Sequence, residues 1–259
     1  MVKFKLSIVQ KIAFAGILTV LTMVCQKVFA INYISAIPFV RVSFCGPALI
    51  IFSSILLGPW FGLLVGAASD LLGFLIFDPK LFGSLPFFQI TFIYALLGFV
   101  SYFVFQLVFK IKSKKIMMLI EGIAFLALVV GIALFVGLND GIYLYSTTYT
   151  FGMYEKILIP LFVFILLGLT FIISSVLDKK LSNRNKDISI FHISFASFIV
   201  EMAVMLIFGT AMKTWAFGPQ SFIGILFSQI LVSFFNISLN TFFLFYILDI
   251  SKKLIRSKE

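Results

Sequence analysis

The chain has 259 residues, 62% of them hydrophobic and only 12% charged, with a formal net charge of +10. Mean hydropathy is +1.18; a soluble domain carries about 25% charged residues, so this composition excludes a water-facing shell. The apolar runs are long and unbroken rather than alternating, which excludes barrel strands and predicts an all-α integral membrane protein.

A helix that crosses about 30 Å of hydrocarbon needs about 20 mostly apolar residues. Eight segments approach that length: 8–29, 39–57, 60–77, 87–109, 116–137, 156–177, 190–212 and 220–248. Residues 1–259 are therefore predicted to form a single polytopic membrane domain of about eight transmembrane helices. The first segment follows a basic start but precedes no small-x-small cleavage site, and reads as a retained helix. The second is irregular. Its clean part, residues 43–57, contains Gly46-Pro47 and ends in Gly58-Pro59, an abrupt turn into the third segment. That part would span only about 22 Å. Short helices interrupted by Gly and Pro at membrane depth often line a cavity rather than lipid. The loop at 138–155 is rich in Tyr and Thr, which suits an interfacial layer. Most of the 35 Phe residues read as apolar filling.

Fifteen of the 20 Lys and Arg lie in four clusters at segment ends. These are Lys3, Lys5 and Lys11; Lys110, Lys112, Lys114 and Lys115; Lys179, Lys180, Arg184 and Lys186; and Lys252, Lys253, Arg256 and Lys258. Eight crossings put all four clusters on one side, leaving Lys27, Arg41, Lys80, Lys156 and Lys213 on or near the other. This positive-inside pattern predicts a multi-pass plasma-membrane protein with both termini cytoplasmic. It also explains the basic charge without nucleic acid.

Charged residues inside apolar segments need partners, because a carboxylate at mid-membrane costs about 2.5–3.5 kcal/mol. Asp70 reads either as a substrate or coupling-ion ligand, or as a structural partner of Arg41 or Lys27. Glu121 lies one turn inward from the basic loop 110–115 and is predicted to pair with Lys114 or Lys115. Glu201, near the middle of the seventh segment, reads as functional. Arg41 offers a planar fork suited to a carboxylate or phosphate. His192 reads as structural, and Trp215 is equally well explained as a membrane-interface anchor. Gln89, Gln229, Asn236 and Asn240 are amides suited to bonds between helices. Cys25 and Cys45 lack disulfide or zinc spacing and read as packing residues. No nucleophile elbow, HExxH or His/Cys ligand cluster is present, so neither an enzyme nor a cofactor is expected.

One block carries a family likeness: Arg41-Val42-Ser43-Phe44, Pro47, Leu57-Gly58-Pro59-Trp60-Phe61-Gly62, Gly66 and Asp70-Leu71-Leu72-Gly73. Gly83 and Pro86-Phe87-Phe88-Gln89 follow it. This block resembles the substrate-binding S components of energy-coupling factor (ECF) vitamin transporters, nearest their folate-type branch. The likeness spans about 30–100, with a weaker echo at 195–248. Phe87 and Gln89 stand where that branch usually has Gly and Thr, Glu201 where it often has Asn, and Pro219-Gln220 where it has Pro-Arg. The family's usual six helices imply an S-component-like core, with 116–177 as an inserted helical pair and 190–248 as the final hairpin.

The resemblance implies a bacterial membrane protein that captures a folate-like vitamin from outside, as cargo rather than cofactor. It further implies docking on an ECF transmembrane T subunit driven by two cytoplasmic ABC ATPases, with Ala13, Ala15 and Gly16 offering a docking face. The expected substrate site comprises Arg41, Ser43, Phe44, Asp70, Phe88, Gln89, Glu201 and Trp215. Within it, Arg41 anchors an anionic or amide-bearing group, Gln89 reads a heterocycle edge, and Phe44 and Phe88 stack on a flat ring. The competing expectation is a self-sufficient ion-coupled secondary transporter using Asp70 and Glu201.

Overall fold

A computed structural model describes residues 6–31, 42–43, 45–77, 88–144, 147–182 and 189–256. Helix α1 (Ile8–Lys27) opens with Ser7 and Gln10 capping each other's backbone N–H groups. Two residues after it, β1 (Ala30–Ile31) pairs antiparallel with β2 (Val42–Ser43). Four helices follow: α2 (Gly46–Leu57), α3 (Pro59–Phe77), α4 (Phe88–Val108) and α5 (Lys114–Leu138). A hairpin of β3 (Gly141–Leu144) and β4 (Thr147–Thr150) then leads to α6 (Met153–Ser182). Helix α7 (Ile190–Val200) continues without a break through a π-helical stretch, Glu201–Phe208, into α8 (Gly209–Phe217). A 3-10 turn at Pro219–Ser221 precedes α9 (Phe222–Arg256).

Helices make up 87% of the described residues, and seven are long and apolar enough to cross a membrane. The eighth apolar segment is α2, whose 12 residues reach only about 18 Å. Every residue of α2 except Leu56 is buried, enclosed by α1, α3, α4 and α9. A helix that is apolar all round belongs in an interior. Its ends are set by unusual backbone. Cys45 enters it in the left-handed region at φ 58°, and Gly58 leaves it at φ 105°, where a side chain would be strained. Pro59 then starts α3 with its ring already at a helical φ.

Glycines close the α3–α4 seam. A Cβ on Gly62 would lie 2.7 Å from the Gly98 carbonyl oxygen and 2.7 Å from Ser54 Cβ of α2. A Cβ on Gly98 would in turn strike the Gly62 carbonyl, and one on Gly66 the Tyr94 carbonyl. Close backbone approach of this kind lets dispersion hold helices together where lipid gives no hydrophobic drive.

The apolar interior has two parts that share α9. One gathers α2, α4 and α7 against Leu244, Phe245 and Leu248. The other gathers α5, α6, Ile142 and Phe151 against Phe227, Leu231, Phe234 and Ile237. Phe125 of α5 joins the helices by an edge-on contact with Phe198 at 5.3 Å and a second with Phe234 at 6.3 Å.

Two details differ from the sequence reading. The stretch 138–155, read as a loop, contains the β3–β4 hairpin. Ile142 and Leu144 turn inward, while the Tyr143 carbonyl rests against Gly224 at the start of α9. At the hairpin's base, the Lys156 ammonium donates to Asp140 at 2.8 Å, and this bond and the lysine's charge hold that carboxyl below its ordinary range. Glu121 pairs with neither Lys114 nor Lys115. It lies seven residues past Lys114, about 10 Å along the helix, which is beyond ion-pair reach. Its buried carboxylate accepts instead from Ser194 Oγ. Lys114 pairs with Asp178 at 3.1 Å, and Ser189 also donates to Asp178.

Candidate functional site

Among the described residues, two polar groups within the bundle include expected site residues. The first surrounds the last turn of α1. Asp70, half-buried on α3, accepts a hydrogen bond from Thr91 Oγ1 of α4 at 2.6 Å. Gly73, one turn further along α3, leaves room for the stem of Lys27: a Cβ there would lie 3.0 Å from Lys27 Cε. The lysine stem thus runs along the face of α3 that carries Asp70, a snorkelling path that covers apolar surface. Beside it, Gln26 and Ser43 both pack against Gly46, where a Cβ would lie 2.6 Å from Ser43 Oγ. That hydroxyl is buried without a hydrogen-bond partner among the described residues. Gln89 is half-buried in the first turn of α4, two residues before Thr91.

The second place is the seam between α7 and α9. Glu201 is 0% exposed. Its Oε1 accepts from Asn240 Nδ2 at 2.9 Å and its Oε2 from Asn236 Nδ2 at 3.5 Å. Gln229, Ser233, Asn236 and Asn240 recur along α9 at the spacing of one helical face. Gln229 lies opposite Gly209 and Asn236 opposite Glu201, so the stripe faces the π-helical stretch along its length.

The expected site residues are therefore divided. Ser43 and Asp70 share the region around the end of α1, and Glu201 sits in a separate cluster. Phe88 is 61% and Trp215 74% exposed, so both lie on the outer surface of the bundle. Arg41 and Phe44 lie outside the described residues. In α1, Ala13 and Gly16 are exposed and Ala15 is half-buried, and nothing would meet a Cβ on Gly16 within 4 Å. Two features of the site have no signature in the sequence. Thr91 carries no motif, only a hydroxyl in an apolar run. The π-helical winding has no residue signature, although such segments are frequent at functional sites.

Among the described residues, no three His, Cys, Asp or Glu side chains gather as a metal site, and Cys25 and Cys45 are free thiols. No protein-family model, curated protein or solved structure matches the chain.

Proposed function

We propose that the chain is the solute-capturing membrane subunit of an energy-coupling importer, an S component that takes a flat, vitamin-like molecule. The observation that carries this reading is the coincidence of one sequence block with one structural unit. From Cys45 to Gly73 that block forms α2, buried in all but Leu56, the Gly58-Pro59 turn and the glycine-sealed α3. Near the end of α1 this unit brings together Ser43, Asp70 and Thr91, and a few polar groups among apolar side chains are the composition of a ligand site. Arg41, just before β2 in sequence, would add a cation for an anionic group on the solute.

The test begins with mass spectrometry of the detergent-purified protein, which should reveal a co-purifying heterocyclic carboxylate or amide. Arg41→Ala should then weaken its binding by about 1.5–3 kcal/mol, the scale of a charge-assisted bond. The thermal transition of the unliganded protein should stay in place. Failure of every vitamin tried to shift the transition would overturn the reading, as would undiminished binding by Arg41→Ala.

The same reading places the basic ends in the cytoplasm, following the charge asymmetry. With Cys25 and Cys45 replaced by Ser, Lys112→Cys should resist a membrane-impermeant maleimide in intact cells. Thr148→Cys, in the hairpin, should react. The reverse pattern would invert the topology.

A further inference from the structure

We propose that Glu201 is a binding site for one monovalent cation, a proton or Na+, built into the seam between α7 and α9. An ionised carboxylate removed from water requires a compensating charge. None is present: among the described residues its polar partners are two amide groups, and no Lys, Arg or His pairs with it.

The surrounding groups fit a site that exchanges such a charge. Asn236 is 5% exposed, and its Oδ1 is buried with no hydrogen-bond partner, although its Nδ2 reaches Glu201 at a long 3.5 Å. A half-turn of that amide exchanges its nitrogen and oxygen. In one orientation two amide N–H groups face the bare carboxylate. In the other, the Asn236 oxygen accepts from a proton carried on Oε2, or joins Oε2 around Na+. Two more buried oxygens stand beside them with no partner, Ser197 Oγ one turn before Glu201 on α7 and Ser233 Oγ one turn before Asn236 on α9. Hard oxygen donors of this kind suit an alkali cation, whereas thiolate and imidazole are absent from the set. The winding changes from α to π at Glu201 itself, a change common where helices carry function.

Among the described residues, no charged side chain of the neighbouring elements pairs with Glu201. Helix α2 carries no ionisable side chain, and α4 only Tyr94 and Tyr102. On α5, Glu121 is held at Ser194, seven residues before Glu201 along α7. His192 is engaged with the Ile111 carbonyl, and Asp178 of α6 with Lys114. Lys213 of α8 lies 12 residues past Glu201, and Asp249 of α9 nine residues past Asn240.

The inference does not depend on the importer reading, and its test does not involve solute. Dicyclohexylcarbodiimide attacks protonated carboxyls in apolar surroundings. The full-length detergent-purified chain is treated with it from acidic to alkaline pH, in NaCl or KCl, and the modified peptides are mapped by mass spectrometry. Modification of Glu201 that disappears as pH rises, equally in both salts, identifies a proton site. Modification suppressed by NaCl but not by KCl identifies Na+. Modification unchanged by pH and salt, or absent from Glu201, overturns the proposal. Asn236→Leu, which removes the exchangeable amide, should abolish the NaCl protection of a Na+ site, or move the loss of modification at a proton site to higher pH, while Glu201 remains modifiable; a response that survives unmoved also overturns it.

Discussion

Gly66→Ala and Gly98→Ala should each lower the thermal stability of the detergent-purified protein, whereas Gly122→Ala and Gly131→Ala should leave it unchanged or raise it. All four glycines sit inside helices. By propensity alone every one of these changes should stabilise, because Ala is the better helix former by about 1 kcal/mol. Packing splits them. A methyl group on Gly66 meets the Tyr94 backbone and one on Gly98 the Gly62 backbone, and neither neighbour can swing aside as a side chain could. Forcing extra volume into a close-packed seam costs about 1–3 kcal/mol, sometimes more, so the clash outweighs the propensity gain. Around Gly122 and Gly131 nothing lies within 4 Å of the added carbon, so propensity acts unopposed. Opposite signs for the two pairs would establish that backbone contact, not helix propensity, holds α3 on α4. Equal responses would rule that out.

The helices were legible in the sequence because a bilayer imposes one strong rule, a long apolar run for each crossing. Segments 60–77 and 87–109 correspond to Pro59–Phe77 and Phe88–Val108 almost to the residue. The weakness of 39–57 as a span was legible as well, since Gly46-Pro47 and Gly58-Pro59 bracket a helix of only 12 residues. What periodicity could not supply was the partner of each polar group. Sequence proximity puts Glu121 near Lys114, yet helical rise separates them and the buried carboxylate accepts from Ser194. In the sequence, Asn236 and Asn240 stand out only as amides suited to bonds between helices. Only the packing of α9 on α7 brings both to the same glutamate. The hairpin at 141–150 was hidden because each strand has four residues, too few for alternation to stand out from an interfacial loop.

Reconstituted alone in liposomes, the chain should bind its solute but not concentrate it, and concentration should appear only with an ATP-hydrolysing partner assembly. Moving a solute uphill needs a coupled source of free energy, and none of the 259 residues forms a nucleotide-binding motif. The importer reading supplies that source through protein contact. The outward face of α1, where Ala13 and Gly16 stand open, would let a partner helix approach closely. The competing source is an ion gradient, and the seam at Glu201 is where it would act. Uptake is therefore measured with the chain alone under an imposed Na+ or proton gradient, and again with the partner assembly and ATP. Accumulation only in the second case supports the importer subunit, and a cation at Glu201 then sets the packing of α7 on α9 rather than driving transport. Accumulation in the first case, abolished by Glu201→Gln, would sink the importer reading and leave the cation site standing as the coupling site of a secondary transporter. Because carbodiimide modification reads Glu201 without any solute, each of the two readings can fail while the other survives.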